Sequence, residues 1–265
     1  MTLSAPRNLF QRRSLIAALV RRDLLGRYRG SVFGVVWAVA EPLALLGVYT
    51  LVFGVLFRLR SGDDPSLLSY SLEVFCGIVP WLMISESLNR SVTVMLENVS
   101  LVKKVIFPGE VLPLKIVLAG AFQQLIGMAV LLLALIVLGK PIHFTWLYLP
   151  LLLVPQILIV AGLAWLLAGA GVFLRDLRQI VSLLTLCWLF LTPIFYPEET
   201  VAKIFPLWLT LNPAAALIHN YRNALLRGLP PDMGKYLATL VLGIALSALG
   251  YWWFQKTKRA FVDVL

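Results

Sequence analysis

Charges set inside apolar runs are where this sequence could do chemistry. Glu41 lies in a run from Gly30 to about Phe57 that holds no other charge. Glu86 and Arg90 lie four apart in a second run, from about Glu73 to Leu96. At that spacing helical side chains meet. A charge within a bilayer is costly, so such residues mark a pathway or a pair. Two readings stand. One is a proton relay or polar pore lining. The other is a neutralised structural pair, with Glu41 snorkelling to the boundary. Pro42 follows Glu41, removes a helix hydrogen bond, and so predicts a kink.

Other chemistry is absent from the sequence. No G-x-x-x-x-G-K-[ST] occurs, so no P-loop binds ATP here. His143 and His219 stand far apart without companion ligands, and neither H-E-x-x-H nor G-x-S-x-G occurs. No metal site is expected. Cys76 and Cys187 lack metal or redox spacing and read as packing residues. Aromatic residues are the remaining candidates. Tyr49, Phe53 and Phe57 recur four apart, and Trp188, Phe190, Phe195 and Tyr196 cluster later. Such faces stack on sugar rings, which suits the lining of a carbohydrate path. The alternative is packing plus an interfacial belt, the role expected of Trp146, Tyr148, Tyr251, Trp252 and Trp253.

The elements that must position these residues follow from composition. The chain has 265 residues, 60% of them hydrophobic and 14% charged. Its mean hydropathy is +0.88. A soluble domain so apolar could not cover its own core. A soluble enzyme, a disordered chain and a disulfide scaffold are therefore excluded. The expected fold is an all-α polytopic membrane protein with six transmembrane helices. The spans run at about Gly30–Phe57, Glu73–Leu96, Val111–Leu138, Ile142–Leu174, Gln179–Tyr196 and Tyr236–Phe254. A span needs about 20 residues, so the start of the fourth run, His143 to Pro150, is assigned to a loop. The runs do not alternate as barrel strands would.

The basic residues orient the bundle. Arg7, Arg12, Arg13, Arg21, Arg22, Arg27 and Arg29 precede the first span. Lys103, Lys104, Arg175, Arg178, Lys256, Lys258 and Arg259 fall on the same side. The positive-inside rule then places both termini in the cytoplasm. The same rule accounts for the net charge of +10, and no nucleic-acid partner is expected. Leu15 to Val20 is too short for a signal peptide core and is flanked by arginines. Residues 8–30 place Ile16, Leu19, Val20 and Leu24 at helical spacing, with Asp23 and Arg27 close to that stripe. They read as an interfacial helix or as a basic arm on anionic lipid. Residues 197–231 are too apolar for an exposed loop and too rich in proline to span. They read as re-entrant helices or as helices lying on the outer surface. The expected organisation is a cytoplasmic segment 1–30, one transmembrane domain 31–256 and a cytoplasmic tail 257–265.

Five motifs in register resemble the membrane subunits of type-2 ATP-binding-cassette exporters for cell-surface polysaccharide. The first is Arg22-Asp23, Arg27-Tyr28-Arg29-Gly30-Ser31, Gly34, Trp37 and Glu41-Pro42. The second is Lys103-Lys104-Val105-Ile106-Phe107-Pro108 with Glu110 and Pro113. Phe173 with Arg175-Asp176-Leu177 is the third, and Pro193-Ile194-Phe195-Tyr196-Pro197 the fourth. Asn212-Pro213, Tyr221-Arg222 and Gly228 complete the set.

The resemblance implies a homodimer in the cytoplasmic (inner) membrane with two separate ATPase subunits, which would bind the ATP and Mg. This chain then needs no cofactor. It implies that Arg22, Asp23, Arg27, Lys103, Lys104, Phe107 and Pro108 contact or couple to the ATPase. Lys103 and Lys104 could equally anchor topology. It also implies a central path for a lipid-linked O-antigen-like, capsule or teichoic-acid polymer. Tyr49, Phe53, Phe57, Glu86, Arg90, Phe190, Phe195 and Tyr196 would line that path, and Asn212, Pro213, Tyr221 and Arg222 would form its outer exit. Three rivals remain: a drug or small-lipid exporter of the same superfamily, a proton-coupled transporter using Glu41 and Glu86, and a membrane-embedded glycan transferase. The last needs acidic groups in an aqueous loop, and Asp63, Asp64, Glu198 and Glu199 form no recognisable site.

Overall fold

The computed structural model describes residues 11–28, 30–56, 67–102, 107–198, 201, 203 and 205–261. Phe57, Lys103 and Lys104 lie outside the described residues. Within them every regular element is helical, and no strand occurs. Helix α1 is Arg13–Arg27 and α2 is Trp37–Tyr49, the latter continuing as a π-helix through Thr50–Leu56. Helix α3 is Leu67–Glu97, α4 is Val99–Val102, α5 is Val111–Val137 and α6 is Leu149–Gly171. Helix α7 is Leu177–Leu191, α8 is Pro206–Leu211, α9 is Pro213–Leu225 and α10 is Met233–Thr257.

Four segments are long and apolar enough to cross a membrane: Leu68–Glu97, Val111–Val137, Phe144–Gly171 and Met233–Ala260. Trp37–Phe53 and Leu177–Leu191 are shorter apolar helices. Several boundaries differ from those expected. The second span starts at Leu67, two turns before Glu73. The loop expected before the fourth span is a 3-10 helix, Phe144–Tyr148, that leads straight into α6. The helix at the fifth span ends at Leu191 rather than Tyr196. Pro193 cannot donate the next helix bond, and the preceding Thr192 is extended at φ −100°, ψ 134°.

Helix α2 runs through Pro42 without a break. Proline at that position leaves the Ala38 carbonyl, four residues back, without its helix donor. Gln123 of α5 supplies one instead, its Nε2 donating to that carbonyl at 3.4 Å. Helix α5 ends where Gly139 takes φ +69°. There the Gly139 amide bonds to Ile136 and the Lys140 amide to Leu135, which satisfies the last carbonyls.

Helix α3 is the axis of the core, burying Val74, Phe75, Cys76, Trp81 and Met95 against α5, α6, α7 and α9. Helices α6 and α10 meet backbone to backbone. A Cβ on Gly250 would stand 2.1 Å from the Gly162 carbonyl oxygen, and one on Gly162 would stand 2.4 Å from the Leu246 backbone. Lipid offers no hydrophobic drive for helices to associate, so small residues that permit close van der Waals approach supply it. The opposite face of α10 exposes Leu237, Val241, Ile244 and Leu249. Helix α7 likewise exposes Ile180, Leu183, Leu184, Leu186 and Cys187. Cys187 is thus a surface residue, unlike the buried Cys76.

Candidate functional site

At one end of the bundle, α1 is riveted to α3 and α5. Ile16 and Leu19 bury their side chains against Val111, with Phe107 packed alongside. Pro108 is buried and Phe107 half-buried, so this ring wedges under α1 rather than standing clear of the surface. The polar side of the contact is an ion-pair network. Arg90 Nη2 donates to both carboxylate oxygens of Asp23 at 2.8 Å. Lys115 Nζ lies 3.7 Å from Asp23, and both side chains are 9% exposed. Arg90 Nη1 also bonds Glu86 at 3.2 Å, the expected i, i+4 pair. Arg27 closes the network, its Nη1 donating to Glu86 Oε2 at 3.2 Å and its Nη2 to Oε1. Asp23 and Arg27 therefore reach α3 from α1. That explains why they lie close to the apolar stripe.

Glu110 ties a second seam at the same end. Arg12 bonds one of its oxygens at 3.1 Å and Lys258 the other at 2.8 Å, while Trp165 donates to its backbone carbonyl at 2.9 Å. Burial alone would raise the Glu110 carboxyl, but the hydrogen bonds from Lys258 and Arg12 outweigh it and hold the group below the usual range. Neither Lys115 nor Lys258 was singled out as a site residue from the sequence. A lone lysine in the apolar run of α5 was a usable signal, because such a charge needs a partner.

Helix α2, with its π-helical continuation, meets the segment after α7 through aromatic rings. Tyr49 and Phe53 stack at 5.9 Å, and Phe53 stacks on Phe195 at 5.7 Å. Phe190 lies 6.2 Å from Phe195, and Tyr196 donates its hydroxyl to the Phe190 carbonyl. Tyr70 crosses Phe53 edge-on at 5.8 Å and donates to the Phe195 carbonyl. Tyr49, Phe53, Phe190, Phe195 and Tyr196 thus form one cluster. Glu86 and Arg90 lie apart from it, in the network with α1.

At the α9 end, a polar framework holds the break after α7. Arg222 is 7% exposed. Its Nη1 donates to the Pro193 carbonyl and its Nη2 to the Ile194 carbonyl, both at 2.9 Å, with Glu73 O at 3.3 Å. Asn212 caps α9 by accepting from the Ala214 amide at 3.1 Å, and its Oδ1 also accepts from Trp188 at 2.9 Å. Its Nδ2 donates to Thr192 at 3.1 Å, while Pro213 occupies the first turn of α9. Tyr221 is fully buried and donates to Gln156 at 2.8 Å, while Gln124 donates to Tyr221 at 3.0 Å. Gln156 also donates to the Pro80 carbonyl of α3 at 3.1 Å. Nearby, Glu198 contacts His219 at 2.7 Å and Lys235 at 3.0 Å. Burial would raise Glu198, but these two bonds prevail and bring it to about 2. Its stabilising contribution is present above about 4.5 and is lost progressively as pH falls from there through about 2. Among the described residues no cluster could hold a metal ion.

The chain is 28% identical over 267 residues to an O-antigen export system permease protein RfbA of Klebsiella pneumoniae, covering 100% of both chains. It is 29% identical to the O-antigen export system permease protein RfbA of Myxococcus xanthus, covering 97% of each. The polysialic acid transport protein KpsM of Escherichia coli is 25% identical, over 87% of this chain and 91% of that protein. Residues 14–226 match the family described as ABC-2 type transporter, from α1 through the Arg222 framework, and the chain belongs to that family of multi-pass membrane proteins.

Proposed function

We propose that the chain is the transmembrane subunit of an ATP-driven exporter of lipid-linked cell-surface polysaccharide. The observation that carries this reading is the end-to-end likeness to O-antigen export permeases. In this reading the chain spans the cytoplasmic membrane six times with both termini inside, and Trp37–Phe53 and Leu177–Leu191 supply the first and fifth spans. Two copies pair around the polymer path, and two ATPase subunits bind ATP and Mg. The broad apolar surface of α7 supports burial against a partner helix. The packing of α9 against α3, α6 and α10 supports a re-entrant α8–α9 pair, because a surface helix would not bury Ile218, Tyr221 and Leu225.

The aromatic cluster is the sugar-facing element of this path. Aromatic faces bind rings without demanding one sequence of hydroxyls, which suits a sliding polymer. The coupling element is α1 with the loop before α5. Arg21 and Arg22 are exposed there and able to face the ATPase, while Asp23, Arg27 and Phe107 fasten α1 to the bundle. Pairing of Glu86 with Arg27 and Arg90 argues against a proton relay through that residue.

The test is complementation of a strain lacking this permease, read as polymer at the cell surface, with affinity purification of the complex. Wild type is expected to restore polymer and to co-purify with nucleotide-binding subunits. Tyr49→Ala with Phe53→Ala is expected to lower surface polymer about tenfold while the same subunits co-purify. Full restoration by this double variant would show that the rings only pack. Absence of any ATPase partner would end the exporter reading.

A further inference from the structure

A cavity of about 400 Å³ opens between α2, α3 and α5, away from the aromatic cluster. Its volume is in the range of small-molecule sites. One part is apolar, walled by Leu45, Val79, Leu82 and Met83. The other is charged, formed by Arg27, Glu41 and Glu86. Gly120, Gln123, Gln124 and Gly127 form the α5 wall.

The charged end is left incomplete. Arg27 gives one N–H of each terminal nitrogen to Glu86, which leaves the second N–H of each over. Arg27 lines the cavity, so an anionic acceptor there would meet a charge-assisted donor. Across the same cavity, Glu41 is exposed and makes no ion pair among the described residues. The cavity thus offers a cation with N–H groups to spare and one spare carboxylate, beside a slot for a hydrocarbon chain.

We infer that this cavity binds a zwitterionic aminophospholipid of the phosphatidylethanolamine class, with its phosphate on the Arg27 guanidinium, its ammonium on Glu41 and one acyl chain along Leu45, Val79 and Leu82. Charge complementarity selects this occupant. A headgroup that is only anionic would satisfy Arg27 but meet the carboxylates of Glu41 and Glu86. A polyprenyl pyrophosphate, with more negative charge, fits worse. A quaternary ammonium has no N–H to donate to Glu41. The lipid would fill the gap between span one and the two spans that anchor α1, so it also props the segment through which α1 reaches the bundle.

The test is native mass spectrometry of the full-length permease, purified in detergent with its co-purifying subunits. The preparation is titrated separately with phosphatidylethanolamine, phosphatidylglycerol and phosphatidylcholine. Wild type is expected to hold one phosphatidylethanolamine per chain in preference to the other two lipids. Glu41→Gln is expected to weaken that lipid about tenfold, the ratio for losing one charge-assisted hydrogen bond, and to spare phosphatidylglycerol. Leu45→Trp, which fills the slot, is expected to remove the bound lipid at unchanged elution volume. If Leu45→Trp fails to fold, Glu41→Gln decides alone. Equal binding of phosphatidylglycerol and phosphatidylethanolamine by wild type overturns the inference, as does unchanged lipid selectivity in Glu41→Gln.

Discussion

Arg222→Met is expected to abolish export and sharply lower the yield of folded permease. The guanidinium is buried and holds the carbonyls of Pro193 and Ile194 just where α7 breaks, together with the Glu73 carbonyl of α3. Methionine fills much of the volume but donates nothing. The Pro193 and Ile194 carbonyls then remain buried without that donor, at about 1–3 kcal/mol each. That is a large share of the net stability of any domain. The break would also lose its geometry, which places Phe195 against Phe53. Arg222→Lys should be intermediate, because an ammonium cannot present the planar fork that reaches carbonyls on two elements. The measurement is monodisperse yield and melting temperature in detergent, beside surface polymer in the complemented strain. Wild-type melting of Arg222→Met would show that the carbonyls find other donors.

Asp23→Asn is expected to uncouple ATP hydrolysis from export. Asp23 is the carboxylate shared by Arg90 and Lys115, linking α1 to α3 and α5. Its loss leaves the almost buried Lys115 ammonium without a counter-charge, and breaking such a pair costs about 3–5 kcal/mol. Glu86 still holds Arg90, and Ile16 and Leu19 still pack on Val111, so α1 is loosened rather than released. Expected is ATP hydrolysis by the purified complex within about twofold of wild type, with surface polymer reduced about tenfold. Adding Lys115→Met removes the orphaned charge and should recover part of the export. Parallel loss of ATPase and export would assign Asp23 to assembly instead.

The legible part of this protein lies in local pattern. Long apolar runs located α3, α5, α6 and α10, because burying a helix in lipid demands an unbroken stretch of such residues. The i, i+4 pair of Glu86 and Arg90 was also legible, because one turn of one helix creates it. Misplaced boundaries were those set by neighbours. The first turns of α3 lie N-terminal to Glu73, whose carbonyl accepts from Arg222 across a distant contact. The 3-10 turn at Phe144–Tyr148 is held by Thr145 and Trp146 bonding the end of α9.

By itself the sequence determined an all-helical membrane chain, the approximate places of its apolar helices and its kinship with ABC-2 permeases. Composition, local spacing and ordered motifs are sufficient for that. Only the tertiary structure decided which charges meet. Asp23 and Arg90 are 67 residues apart, Arg12 and Glu110 are 98 apart, and Arg222 and Glu73 are 149 apart. No periodicity encodes such pairs, because they depend on which faces three or four helices turn to one another when they pack. The same packing turned an imperfection in the stripe of α1 into its anchor and left Glu41 and Arg27 facing one cavity.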